Sequence, residues 1–93
     1  MATEVFIAKM TDFMEDGTIQ SWLVAEGDRV AEGQAILEVE TDKAIAELEA
    51  PASGFVKGIR TGAVPGAVIP VGETIAYIVD STDEDVEPLP PLG

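Results

Sequence analysis

The stretch EVETDKAIAELE, residues 38–49, sets one lysine inside a run that otherwise holds only acids, aliphatics and Thr41. If Asp42 and Lys43 form a two-residue turn, the arms on either side pair in one definite way. Thr41 then faces Ala44, Val39 faces Ala46 and Leu37 faces Leu48, giving a single apolar face. On the other face Glu40 meets Ile45 and Glu38 meets Glu47, with Glu49 nearby. Alternation of this kind marks a half-buried hairpin, because successive side chains of a strand point to opposite faces. Asp-Lys is not the Asn-Gly type of signal for primed hairpin turns, whereas a type I turn over 41–44 accepts both residues. Lys43 therefore stands at the tip of a rigid protrusion, poorly placed to stabilise a core and well placed to be reached by another protein. An exposed lysine is ordinarily just solvated surface. Against that stand the small neighbour Ala44 and the scarcity of lysine, which occurs three times in the chain.

Outward from this hairpin, short apolar runs separated by Gly, Pro, Asp and Ser recur throughout, the signature of an all-β domain. Strands are expected near residues 3–9, 18–25, 28–30, 35–40, 44–49, 55–60, 67–69 and 74–79. The chain also repeats itself. Gly17, Ile19, Val30, Gly33, Ile36 and Val39 are followed in the same order by Gly54, Val56, Val68, Gly72, Ile75 and Ile78. The offset grows from 37 to 38 or 39, which places about two extra residues around Thr61–Pro65. Two copies of a four-stranded unit predict a flattened β-barrel or sandwich of two four-stranded sheets with approximate two-fold symmetry. The copies join at 41–43, and the equivalent place in the second copy is the end of the domain near Asp80.

Ninety-three residues form one domain, read as 1–80, with 81–93 as an acidic, proline-rich disordered linker. That last stretch, STDEDVEPLPPLG, holds four acids and three of the six prolines and has too little apolar surface to offset its ordering entropy. Hydrophobic residues make up 46% of the chain but aromatics only 5%, so the core must be aliphatic. Cysteine and histidine are both absent, which removes disulfides, thiolate sites, the commonest metal ligand and the usual general base. An independent enzyme is not expected. A formal charge of −13 disfavours nucleic acid and anionic membrane surfaces, and favours basic protein partners or simply solubility. The N-terminus lacks a signal-peptide pattern and no apolar run approaches the ~20 residues of a membrane span. The chain is therefore expected to be intracellular, or already processed by removal of a transit peptide.

ETDKA, with GQAILEVE before it and ELEAPASGFV after it, resembles the lipoyl domains of 2-oxo acid dehydrogenase complexes. The resemblance spans residues ~3–79 and includes EGDRVAEGQ (26–34) and APASG (50–54) in order. It implies that Lys43 carries lipoic acid in amide linkage, and that Asp42, Ala44 and Glu40 help a lipoate-attaching enzyme recognise the turn. It implies a swinging arm that serves three partners: a thiamine-diphosphate-dependent 2-oxo acid decarboxylase, an acyltransferase core and dihydrolipoamide dehydrogenase. The chemistry would then belong to the dithiolane. The domain would be a non-catalytic, monomeric carrier, cut from the N-terminal part of a dihydrolipoamide acyltransferase. Gly33 and Gly54 are expected to serve backbone conformation. By the same resemblance KMTDFMEDG (9–17) forms a loop beside the lipoyl turn, where Phe13 and Met14 could touch the decarboxylase or cap the core, packing being favoured. Trp22 stands where an aliphatic is usual and reads as core or semi-exposed packing.

A biotin carrier shares this fold, but its lysine is normally bracketed by methionines, whereas Lys43 lies between Asp42 and Ala44. The glycine-cleavage carrier is longer, with helical additions. KMTDFMEDGTI resembles the entrance of pyruvate- and acetoin-type subunits more than oxoglutarate or branched-chain types. GIRTGAVPGAV departs from the family's shorter acidic turn.

Overall fold

The computed structural model describes residues 2–9, 14–41, 44–86 and 88–91. Alternating apolar residues there form eight strands: β1 (Thr3–Phe6), β2 (Asp16–Trp22), β3 (Arg29–Val30), β4 (Ala35–Glu40), β5 (Ile45–Glu49), β6 (Gly54–Lys57), β7 (Val68–Pro70) and β8 (Thr74–Val79). They build two antiparallel four-stranded sheets, ordered β1-β8-β6-β3 and β5-β4-β2-β7. Counting four strands onward from each member of the first sheet reproduces the order of the second. That is the quasi-two-fold sandwich the repeat predicts.

The symmetry holds at the level of single residues. Ile19↔Val39 in one sheet corresponds to Val56↔Ile78 in the other, and Gly17↔Ile69 corresponds to Val30↔Gly54. Bonds outside the ladders repeat as well: the Leu23 amide donates to the Ile36 carbonyl at 2.9 Å, as the Arg60 amide does to Ile75 at 2.8 Å. Val30 therefore matches Ile69, not Val68. Both Val30 and Ile69 are buried, whereas Val68 is 59% exposed and corresponds to Arg29. Matching valine to valine had slipped the strand by one residue, which exchanges its inner and outer faces.

Leu23 matches Arg60 at an offset of 37, while the 25–28 turn matches the 64–67 turn at 39. The two extra residues thus fall within 61–63, inside the expected span. Ala63 is buried, and the Trp22 indole N–H donates to its carbonyl at 2.7 Å, so Trp22 packs beside the core and clamps the insertion.

The largest fully buried side chains are all Ile, Leu or Val. Trp22, Phe55 and Tyr77 are half-buried and Phe6 is 44% exposed, so the described aromatics lie at the rim. Three strands end sooner than alternation suggests, each for a local reason. The β1 register shifts between Val5 and Phe6, the 25–28 turn follows β2, and Gly58 at φ +69° terminates β6. Gly33 and Gly54 do adopt positive φ, +87° and +154°.

Candidate functional site

β4 and β5 pair as Leu37↔Leu48, Glu38↔Glu47, Val39↔Ala46 and Glu40↔Ile45, the register that the alternation requires. Leu37, Val39 and Leu48 are buried, while Glu40, Ile45 and Glu47 face solvent. Beyond the last pair the hairpin is closed by Thr41 and Ala44. The Thr41 amide donates to the Ala44 carbonyl at 2.8 Å. The Thr41 hydroxyl donates to that same carbonyl at 2.8 Å and accepts from the Ala44 amide at 3.2 Å. One short polar side chain thus ties both ends of the turn. Asp42 and Lys43, the two residues that connect these ends, lie outside the described residues, as does the turn type.

The base of the hairpin is braced from beneath. Gly17 sits so close to Val39 that a Cβ there would lie 2.5 Å from Val39 Cγ1 and 3.1 Å from Met14 Cε. Met14 is 5% exposed, so it packs in the core under the hairpin. Phe13, and with it residues 10–13, lies outside the described residues.

On the outer face, sheet order carries the site beyond its own hairpin. Ile45, Glu40, Thr18 and Val68 form one row across β5, β4, β2 and β7, immediately below Thr41 and Ala44. Ile45 and Val68 are 53% and 59% exposed, so a partner covering the hairpin tip meets Glu40 between Ile45 and Thr18, with Val68 at the far end of the row. In the next row the Ser21 hydroxyl donates to Glu38 Oε1 at 2.7 Å, fixing one acid of the facing Glu38–Glu47 pair. The Glu40–Ile45 contact is readable from alternation; Thr18 and Val68 are not, because only the sheet order brings them in. Among the described residues no group of three or more potential ligands is placed to hold a metal. The arrangement presents a short, tied turn on a stiff two-stranded arm.

A family model described as biotin-requiring enzyme, the biotin/lipoyl type, matches residues 3–78. The chain is a biotin/lipoyl-attachment domain. Its relatives include the dihydrolipoyllysine-residue acetyltransferase component of the acetoin cleaving system of Pseudomonas putida. That protein is 39% identical over 74 residues, covering 80% of this chain and 20% of the relative. Component 2 of the mitochondrial pyruvate dehydrogenase acetyltransferase of Arabidopsis thaliana is 41% identical over 83 residues, covering 87% and 15%. The succinyltransferase component of the 2-oxoglutarate dehydrogenase complex of Bacillus subtilis is 34% identical over 87 residues, covering 94% and 20%. The biotin/lipoyl-attachment domain spans about a fifth of the length of these curated relatives.

Proposed function

We propose that Lys43 carries lipoic acid in amide linkage to Nζ, and that the domain is the swinging arm of a 2-oxo acid dehydrogenase complex. The observation that carries this reading is the closure of the β4–β5 hairpin by Thr41 and Ala44. It leaves Asp42-Lys43 as the connection at the end of a braced arm. Exposed Glu40 and Ala44 beside it, with Asp42, form the surface that a lipoate-attaching enzyme reads. When bound, the dithiolane supplies the acyl-carrying and redox chemistry. The protein's part is to hold the amine out from the core and keep its neighbours small. Its tether keeps it at high effective concentration near the partner sites. Those sites are a thiamine-diphosphate-dependent decarboxylase, an acyltransferase core and dihydrolipoamide dehydrogenase.

Lipoate is preferred over biotin because Lys43 lies between Asp42 and Ala44 and none of the three methionines is near it in sequence. Pyruvate or acetoin is preferred among substrates on KMTDFMEDGTI, and relatives named for both systems support that choice. Residues 1–80 are the carrier and 81–93 begin the tether of a dihydrolipoamide acyltransferase, in the bacterial cytoplasm or the mitochondrial matrix.

The test incubates the domain with a lipoate-attaching enzyme and lipoic acid, and in parallel with a biotin ligase and biotin. Intact mass and peptide mapping should show one lipoyl adduct on Lys43, absent from Lys43→Ala. A biotin adduct instead would replace the cofactor assignment, and no adduct on a folded domain would end the swinging-arm reading. Reductive acylation by pyruvate, acetoin and oxoglutarate decarboxylases then chooses the complex.

A further inference from the structure

We propose that the outer face of the β1-β8-β6-β3 sheet is a receptor for an acidic, proline-rich segment, occupied by the chain's own residues 82–86 and 88–90. Lys57 Nζ donates to the Thr82 carbonyl at 3.1 Å and also to the Glu84 carbonyl. Further along, Arg60 Nε donates to the Pro90 carbonyl at 2.5 Å. That guanidinium is itself set in place, since its Nη1 donates to Glu73 Oε1 at 2.6 Å and to the Thr74 carbonyl at 3.1 Å. Between the two clips, Val86 settles half-buried over Gly58. A Cβ at 58 would lie 3.0 Å from Val86 Cγ2 and 3.3 Å from the Tyr77 ring. Thr82 also helps line a cavity of about 290 Å³ with Glu26, Gly27, Phe55, Val56 and Lys57.

Comparison across the quasi-two-fold axis shows that this face departs from its twin. Lys57 takes the place of Gln20 and Arg60 that of Leu23, which is 45% exposed. Val79, fully buried, stands where the other sheet carries exposed Glu40. Three of the chain's five basic residues, Arg29, Lys57 and Arg60, lie on or beside this face, with Arg29 5.7 Å above the Phe55 ring. The stretch whose carbonyls Lys57 holds carries three acids in succession, Asp83, Glu84 and Asp85. Complementary charge draws the segment in, and the backbone carbonyls at 82, 84 and 90 fix its position.

The clip moves the point at which a free tether begins. β8 ends where Thr3 pairs with Ile78, at the pole opposite the β4–β5 turn. The tail runs back along β6 to Arg60 and Thr74, toward the pole of that turn. The Val71 amide bonded to Glu15 and the Asp16↔Pro70 pair lie at that same pole. The proposal is independent of what Lys43 carries.

Backbone order parameters on the 93-residue chain test it, with a spin label on Pro91→Cys, the chain having no other cysteine. The amides of residues 82–86 and of Leu89 should show values of ~0.8, dropping below ~0.6 in Lys57→Gln and in Val86→Asp. The label should broaden the Glu73 and Thr74 amides within the same molecule, and lose that effect in both variants. Unchanged Ile19 and Val39 amide shifts show that the variants fold. Wild-type tail values below ~0.6, equal to those of the variants, overturn the proposal. Broadening seen only between labelled and unlabelled molecules gives the face to a second copy and overturns the occupant named here.

Discussion

Gly17 and Gly54 hold equivalent places in the two halves, yet they are glycine for different reasons. At 17 the obstacle is a side chain, Val39 Cγ1; at 54 it is backbone, the Val79 carbonyl oxygen 2.3 Å from where a Cβ would sit, at φ +154°. A rotamer can yield but a ladder carbonyl cannot. Gly54→Ala should therefore cost about 3 kcal/mol or more by urea denaturation, through steric displacement plus backbone strain. Gly27→Ala, at φ +91° with open space around it, should cost only about 1–2 kcal/mol. Thr41 supplies a different kind of residue-level test. Thr41→Val removes a hydroxyl that both donates and accepts across the turn, and should weaken the local closure by about 1 kcal/mol. Faster amide exchange at Ala44 with little change in global melting would show it, and Thr41→Ser should restore protection.

Among the elements, the register of the arms of the 38–49 hairpin was legible in the sequence because they lie within twelve residues and alternation with one buried face admits a single register. β3 and β7 were less so. They are two and three residues long, too short for a period to fix which side faces in, and Val68 was aligned where Ile69 belongs. The insertion could be located by offset alone, but its anchor could not, since Trp22 and Ala63 stand 41 residues apart. Trp22→Phe keeps the ring and loses that bond, so a loss of about 1 kcal/mol is expected, with faster exchange confined to 61–64. Glu38 directly opposite Glu47 is a like-charge pair. Glu47→Lys should stabilise the hairpin by about 0.2–1 kcal/mol, and the gain should shrink in high salt.

For the whole molecule, a net charge of −13 on so small a body means that self-repulsion opposes compactness. The melting temperature should rise between low ionic strength and ~0.15 M salt, measured by circular dichroism, as screening shortens the reach of that repulsion. The aliphatic core, the all-β class and the doubled sheet were legible from composition and repeat. The outer-face row of Ile45, Glu40, Thr18 and Val68 was not, because it depends on which strands become neighbours. The quasi-two-fold axis also bears on how such a chain comes to exist. A half-length ancestor closing on a second copy of itself would leave loose ends at both poles. Making one gene of the two requires one of those poles to be sewn shut, and Asp42-Lys43 is the seam. In a chain made that way the lysine occupies the join, a place where a new loop can be written without disturbing either half.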